Sequence, residues 1–398
     1  MADQNSNIKR VFAMCFVLIM AIGFVRSDSY AMIRRLSDYL GQEDLTDSLL
    51  TLDTVDDELV SSMYMKRELI DLNGYMAKKL GMQGFYGYMG MYVTDDDYIV
   101  SASDYTTTDY EYYETIAFKD FLDANGINFL YVNKPTKYLD DSLFYDEFGV
   151  ETYSNRNMDL FLSRIREAGI NTVDLRDNIR AENRDIRDMF FRTDHHWTVP
   201  SGLWAAGIMA RSLNEYCGYD IDLSLYDESN YSATEWKECW LGEQGRKVAE
   251  SYVGLDDYTE LKPVFPTDFT FKNDDGTFRE GTFDDFILED VHNTENDVYE
   301  NYSWYLSYLR LNNINNNVAD GKVLIVGDSY DHVTVPFLSL GIHETDVLIL
   351  RDQNELFSLR NYILDNDYDT VIVAYAQFML GAHDDVTSSN YNMYAFDH

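Results

Sequence analysis

Two short segments of the chain carry the residue types of nucleophilic catalysis. The first is Gly327-Asp328-Ser329-Tyr330, directly after the apolar run Val323-Leu324-Ile325-Val326. A serine at the end of a buried parallel strand stands at the carboxyl edge of the sheet, where open α/β folds bind ligands. A helix starting there would aim backbone N–H groups at an oxyanion, and Gly327 permits the tight turn. The competing reading is a serine that merely caps a helix. The second segment is Thr193-Asp194-His195-His196-Trp197-Thr198-Val199-Pro200-Ser201-Gly202. A nucleophilic serine needs a base, usually histidine, and a carboxylate to orient it. In an extended loop the i, i+2 spacing puts Asp194 and His196 on one side and turns His195 away. A surface loop, a packed imidazole and a zinc site are the competing readings. Zinc ranks last, because adjacent histidines diverge and no HExxH or Cys/His set accompanies them. No metal and no cofactor is expected.

The elements that must position these residues follow from the hydrophobic pattern. Residues 28–85 carry helical patterning, and Gly87 to Val100 reads as a hairpin around the acidic turn Asp95-Asp96-Asp97. From about residue 115 helices and strands alternate. Helices are expected over 116–125, 157–168 and 200–216, and strands over 128–132, 172–175, 323–326, 347–350 and 370–374. Continuous β-rich runs between helices indicate a parallel sheet buried on both faces. Residues 217–315 interrupt this pattern as an insert rich in Asp, Asn, Tyr and Gly. Within it, 271–278 reads as a second hairpin with an Asp-Gly turn.

Taken together, the two segments resemble the SGNH, or GDSL-like, hydrolase superfamily. More closely they resemble the DHHW proteins, relatives of the bacterial alginate O-acetyltransferases, which carry Asp-x-His-Trp upstream of a strand followed by Gly-Asp-Ser. The matching residues are Asp194, His196 and Trp197, then Gly327, Asp328 and Ser329. The resemblance covers about residues 60–380. Ordinary superfamily members have the serine block first and Asp-x-x-His last, so the order here implies a circular permutation. The resemblance thus implies a circularly permuted, flavodoxin-like SGNH parallel sheet with helices on both faces. Its strands would be, in family order, 323–326, 347–350, 370–374, 128–132 and 172–175. It also implies a Ser329–His196–Asp194 triad. The family's oxyanion segment has no direct counterpart after 370–374, where Tyr375 and Gln377 are the candidate donors. Asn133, Lys134 and Arg351 lie at the same edge as candidate substrate-holding residues.

The resemblance implies an O-acetyltransferase that passes an acetyl group through Ser329 to a cell-surface or secreted polysaccharide. A membrane-bound O-acyltransferase partner that delivers the acetyl group is implied by the same family habit. The alternatives are a carbohydrate acetylesterase using the same residues, and a non-catalytic carbohydrate-binding scaffold. A transferase needs an acceptor groove, and the insert supplies aromatic candidates in Tyr252, Tyr258, Tyr299, Tyr302, Trp304 and Tyr305.

Charge and composition set the remaining bounds. With 31 Lys and Arg against 70 Asp and Glu, the net charge is −39, which repels phosphate backbones and excludes a nucleic-acid partner. The 32 tyrosines suit either a sugar-binding surface or Tyr-rich strands and loops. Residues 11–25 are uncharged and apolar, with Lys9 and Arg10 before them and Arg26 after. At 1.5 Å per residue they span about 22 Å, short of a hydrocarbon core of ~30 Å, with snorkelling Lys9 and Arg26 to make up the difference. A buried core helix is the competing reading, but an all-round apolar run behind a short basic leader favours export, as a signal-peptide core or a short signal anchor, and the lack of a clean A-x-A site favours the anchor. Either export reading puts the rest of the chain outside the cytoplasm. An oxidising compartment permits a disulfide between Cys217 and Cys239; two buried free thiols is the other reading. The expected organisation is therefore 1–27 as anchor or signal peptide, 28–114 as a helix and hairpin region, and 115–398 as the catalytic domain with its insert at 217–315.

Overall fold

The computed structural model describes residues 65–85, 90–273, 275–287, 298, 311–354, 356–381 and 390–396. The apolar run at 11–25 and the aromatic residues Tyr299, Tyr302, Trp304 and Tyr305 lie outside the described residues. Among the described residues no helix is long and apolar enough to cross a membrane. The chain divides into two compact units, 1–80 and 81–398. In the first, helix α1 (Lys66–Lys79) places Glu68 in its first turn and Lys78 and Lys79 in its last, each matched to the helix dipole.

The second unit begins with a small antiparallel sheet of β1 (Gly84–Phe85), β2 (Met91–Val93) and β3 (Ile99–Ser101), which contains the expected hairpin. Then follow α2 (Asp109–Ala124), β4 (Asn128–Lys134), α3 (Asp141–Phe148), α4 (Ser154–Glu167), β5 (Asn171–Asp174), α5 (Leu175–Glu182) and α6 (Val199–Cys217). The insert holds β6 (Tyr231–Trp240), α7 (Glu243–Val248), α8 (Glu250–Val253), β7 (Asp256–Pro263), β8 (Phe269–Lys272), β9 (Phe278–Gly281) and β10 (Asn313–Asn315). The chain returns to the sheet with β11 (Lys322–Val326), α9 (Val335–Leu338), β12 (Glu344–Leu348), α10 (Leu359–Asn366) and β13 (Thr370–Ala376).

The large sheet has the order β5-β4-β13-β11-β12-β10-β8-β9. From β5 to β12 every pair is parallel, in the order the circular permutation requires. The expected fold is this five-stranded parallel sheet plus an inserted mixed segment, and the structure shows where that segment goes. In the insert, β10 pairs antiparallel with β12, and β8 and β9 extend the same sheet, making it mixed. Among the described residues of the insert, β6 and β7 form a ribbon of their own. The second strand also sits earlier than expected. It runs in register with β11 from Lys322↔Glu344 to Val326↔Leu348, so it ends where its partner turns away at Gly327.

Strand alternation sorts the core into two faces. Leu130, Val132, Val323, Ile325, Ile372 and Ala374 face one cluster, with Leu203, Ala206, Met209 and Leu213 of α6. Phe129, Tyr131, Leu324, Val326, Val371, Val373 and Tyr375 face the other, with Phe118 and Leu122 of α2, Phe161 and Ile165 of α4, and Leu359 and Ile363 of α10. Helix α6 starts with Pro near its first position and stops at Gly218, whose φ of 78° suits a left-handed cap. Its Gly202 lies against the backbone of Val333 so closely that a Cβ there would overlap the Val333 carbonyl. That close approach brings the end of the histidine segment onto the turn that carries Ser329.

Candidate active site

The histidine segment is a tight reversal. Phe191 N donates to His196 O at 3.2 Å and Thr198 N to Met189 O at 2.9 Å, leaving Thr193 to His195 at the tip. Asp256, at the start of β7, accepts from Arg192 N at 2.9 Å, Thr193 N at 2.9 Å and Thr193 Oγ1 at 2.6 Å. The serine turn follows β11. Asp328, not Ser329, caps it: the Asp328 carboxylate accepts from Tyr330 N, and Asp331 reaches back to Asp328 N in a capping box. The serine hydroxyl is thereby released from the capping role that sequence alone left open. Trp197, fully buried, joins the two segments by donating Nε1–H to Tyr330 O at 3.0 Å.

The two segments meet in a continuous hydrogen-bonded chain. Asp194 Oδ1 lies 2.5 Å from His196 Nδ1, and His196 Nε2 lies 2.6 Å from Ser329 Oγ. With the Nδ1 proton directed at Asp194, Nε2 presents its lone pair to the serine hydroxyl. Asp194 Oδ1 also accepts from His196 N at 3.0 Å, and Oδ2 accepts from Glu243 N at 2.6 Å. Burial opposes ionisation of Asp194, yet the two imidazoles and the His196 hydrogen bonds hold its carboxyl well below the usual range. Such a constellation can draw a proton from Ser329 and hold the imidazolium that results.

His195 does not turn away from its neighbour. Its ring centre is 3.8 Å from that of His196, and its Nδ1 is 3.4 Å from Asp194 Oδ1, because the tip is a bent turn and not an extended strand. Burial, with the neighbouring His196, lowers its pKa to about 4, so it is neutral at neutral pH. Ligand-type atoms of Asp194, His195 and His196 lie within 4.8 Å of one another. Asp194 Oδ1 and His196 Nδ1 face each other at a hydrogen-bonding distance too short to admit a cation between them.

Of the edge residues named as oxyanion or substrate groups, Tyr375, Gln377, Asn133 and Lys134 are buried and hydrogen-bonded within the protein, and Arg351 is exposed. Tyr375 follows Val371 and Val373 in the strand alternation, so it points into the opposite core cluster, where its hydroxyl donates to Met393 O. Gln377 spends its amide N–H groups on Ser154 Oγ at 2.6 Å and Thr136 Oγ1 at 3.1 Å. Asn133 is fully buried and donates to Asp174 Oδ1 at 2.9 Å, clipping β4 to β5. Lys134 is fully buried and bridges Asp328 and Asp331. Arg351 is exposed beyond β12, with Asp352 3.9 Å away. Cys217 and Cys239 are free, half-buried thiols, so of the two readings the disulfide is the one that does not hold. Cys217 ends α6 near β13, whereas Cys239 packs on the β6–β7 ribbon beside Trp236 O and Asp256 O, so the two sit on different elements. Of the insert aromatics, Tyr252 and Tyr258 are core residues. Tyr252 donates to Met82 O, and Tyr258 stacks on Phe191 at 6.1 Å.

Several residues that hold the site carry no motif. Gly242 and Glu243, in the insert, supply backbone N–H groups to Thr193 Oγ1 and Asp194 Oδ2. Gly242 must be glycine, since a Cβ would lie 2.6 Å from Thr193 O and 2.7 Å from Asp194 Oδ2. The spacing Gly242-Glu243-Gln244-Gly245 is the sole sequence trace of that close approach.

Residues 91–236 match the family model described as SGNH hydrolase-like domain, acetyltransferase AlgX. The resemblance to the SGNH hydrolase-like proteins is therefore borne out. The match includes Asp194 to Trp197 and ends before Ser329. Solved structures agree on the fold. The chain is similar to Bacillus cereus PatB1 with a sulfonyl adduct, at 20% identity and TM-score 0.59, covering 77% of this chain and 98% of that one. It is also similar to a DHHW family protein from Eubacterium siraeum, at 16% identity and TM-score 0.55, covering 74% of this chain and 91% of that one. No curated protein is significantly similar in sequence.

Proposed function

We propose that this protein is an exported SGNH-like O-acetyltransferase that acetylates hydroxyl groups of a cell-surface or secreted polysaccharide. The observation that carries this reading is the chain Asp194 Oδ1–His196 Nδ1, His196 Nε2–Ser329 Oγ, at 2.5 Å and 2.6 Å. His196 takes the Ser329 proton as Oγ bonds to the acetyl carbonyl carbon, then delivers that proton to the departing donor oxygen. The acetyl-serine is then attacked by a sugar hydroxyl. His196 takes the hydroxyl proton and returns it to Ser329 Oγ as the ester bond to the enzyme breaks. Asp194 keeps the imidazole in the required tautomer throughout.

The acetyltransferase description of the matched family supports transfer over hydrolysis. The apolar run at 11–25 supports export and a membrane tether, and family habit supports a membrane-bound O-acyltransferase as the acetyl source. A purely carbohydrate-binding scaffold has no use for a base and carboxylate aligned on a serine. The test is incubation of wild type and Ser329→Ala with 4-nitrophenyl acetate, with and without polysaccharide acceptors. The expected result is acetylated glycan by mass spectrometry, made by wild type only. Donor cleavage by wild type without acetylation of any acceptor would make it an esterase, and equal activity of the two proteins would remove the serine from the reaction.

A further inference from the structure

Beneath the serine turn lies an ionic cluster that the reaction does not consume. Lys134 Nζ is 2.7 Å from Asp328 Oδ1 and 2.8 Å from Asp331 Oδ2, with all three side chains fully buried. The same two carboxylates organise the turn. Asp328 Oδ1 accepts from Tyr330 N at 3.0 Å, Asp328 Oδ2 from Ala376 N at 2.6 Å, and Asp331 Oδ2 from Asp328 N at 3.0 Å. Gly327 leaves room for the Asp331 carboxylate, which a Cβ there would overlap. The ammonium also sits 5.8 Å from the centre of the Tyr330 ring.

We propose that Lys134 is a positioning residue for the nucleophile, tying the end of β4 to the turn that carries Ser329. Through Asp328 the same cluster reaches the end of β13, so three neighbouring strand ends, β4, β13 and β11, converge on one group of charges. Apolar contacts resist compression but do not fix direction, whereas charge-assisted hydrogen bonds do. Direction matters here because Ser329 Oγ must remain on His196 Nε2, and a displacement of ~1 Å costs about 10²-fold in rate. The arrangement is strained in one respect. Asp331 Oδ1 is buried without a hydrogen-bond partner among the described residues, and burial, aided by the charge of Asp328 and opposed by Lys134, pushes that carboxyl up to about 6. An isolated stability role would be served better by a neutral, apolar plug, since buried ion pairs are weak stabilisers.

The inference rests on Ser329 being the nucleophile, and the experiment separates the two ideas. Wild type, Lys134→Met, Lys134→Met/Asp331→Asn and Asp331→Asn are compared by 4-nitrophenyl acetate kinetics, by the rate of inactivation with phenylmethylsulfonyl fluoride, and by melting temperature. The double variant removes one positive and one negative charge, so it retains the net charge of the cluster. For the double variant we expect a folded protein whose kcat falls about 100-fold with KM within about threefold, and whose inactivation slows in parallel. A folded double variant with kcat within about threefold of wild type overturns the proposal, because charge balance alone then suffices. Should both Lys134 variants fail to fold, Asp331→Asn decides. It keeps the shape and the Lys134–Asp328 pair, and the proposal requires a fall in kcat of about tenfold at unchanged KM. A change below about twofold in that variant overturns it. If wild type itself shows neither ester cleavage nor inactivation, the serine reading fails first.

Discussion

The two halves of the candidate site are held in opposite ways. The serine turn is anchored from within the parallel sheet by charges, with Lys134 between Asp328 and Asp331. The Asp194–His196 loop is anchored from outside it, largely by backbone groups. Glu243 N and Gly242 N reach it from the insert, Asp256 holds its stem, and Lys137 Nζ donates to Arg192 O at 3.2 Å and Ile99 O at 2.7 Å. Burial lowers the Lys137 amine to about 7. The difference teaches where tolerance lies. The nucleophile depends on a compact network near in space to its own strand, while the base depends on a loop about fifty residues downstream packing correctly.

Removing the groups where the halves meet has the largest effect. Ser329→Ala and His196→Ala should each lower kcat/KM for 4-nitrophenyl acetate by about 10³-fold or more, and the double variant should be no worse than either single, as for residues acting as one unit. Melting temperature should barely move for Ser329→Ala, since Asp328 provides the cap. A double variant far worse than both singles would break the idea of one relay.

Next comes the support from the insert. Gly242→Ala forces a methyl against Thr193 O and Asp194 Oδ2, and neither backbone nor buried carboxylate can yield freely. It should cost about 1–3 kcal/mol by chemical denaturation and about 10- to 100-fold in kcat. Activity within twofold of wild type would show that the insert does not set the base. His195→Ala should be milder, about fivefold to tenfold, since the Asp194–His196–Ser329 chain survives without it.

Acidity separates the halves further. The pKa of His195 is lowered from 6.5 to about 4, so the unfolded chain binds a proton that the folded one refuses. Its contribution to stability is present above pH 6.5 and is lost as pH falls toward 4. Asp331 is raised from 3.8 to about 6, so its contribution is present below 3.8 and is lost as pH rises through 6. Melting temperatures of wild type, His195→Asn and Asp331→Asn between pH 4 and 7 should therefore show differences from wild type with opposite slopes. Parallel slopes would contradict these assignments. The smallest effect is expected from the thiols: Cys217 and Cys239 are unpaired, so dithiothreitol should leave the melting temperature unchanged.

Periodicity and motif spacing, together with the family resemblance, were enough for the parallel block of the sheet, its permuted strand order, and the pairing of Asp194 and His196 with Ser329. The strands and the Asp194–His196 pair are encoded locally, since buried strands need continuous β-branched runs and a base must lie near a carboxylate that orients it; the strand order and the link to Ser329 came from the resemblance. The alternation that buried Val371 and Val373 also carried the destiny of Tyr375, and that of Asn133 followed from Phe129 and Tyr131 in the same way. Tertiary structure alone decided the rest. That β8, β9 and β10 complete the sheet depends on pairing at long range, which no local pattern specifies. That Lys134 faces two carboxylates about 200 positions away, and that Gly242 closes on Asp194, depends on which strand ends the fold brings together. Side-chain type tells what a residue can bond, but only the packed chain determines which partners are within 3 Å when water has been excluded.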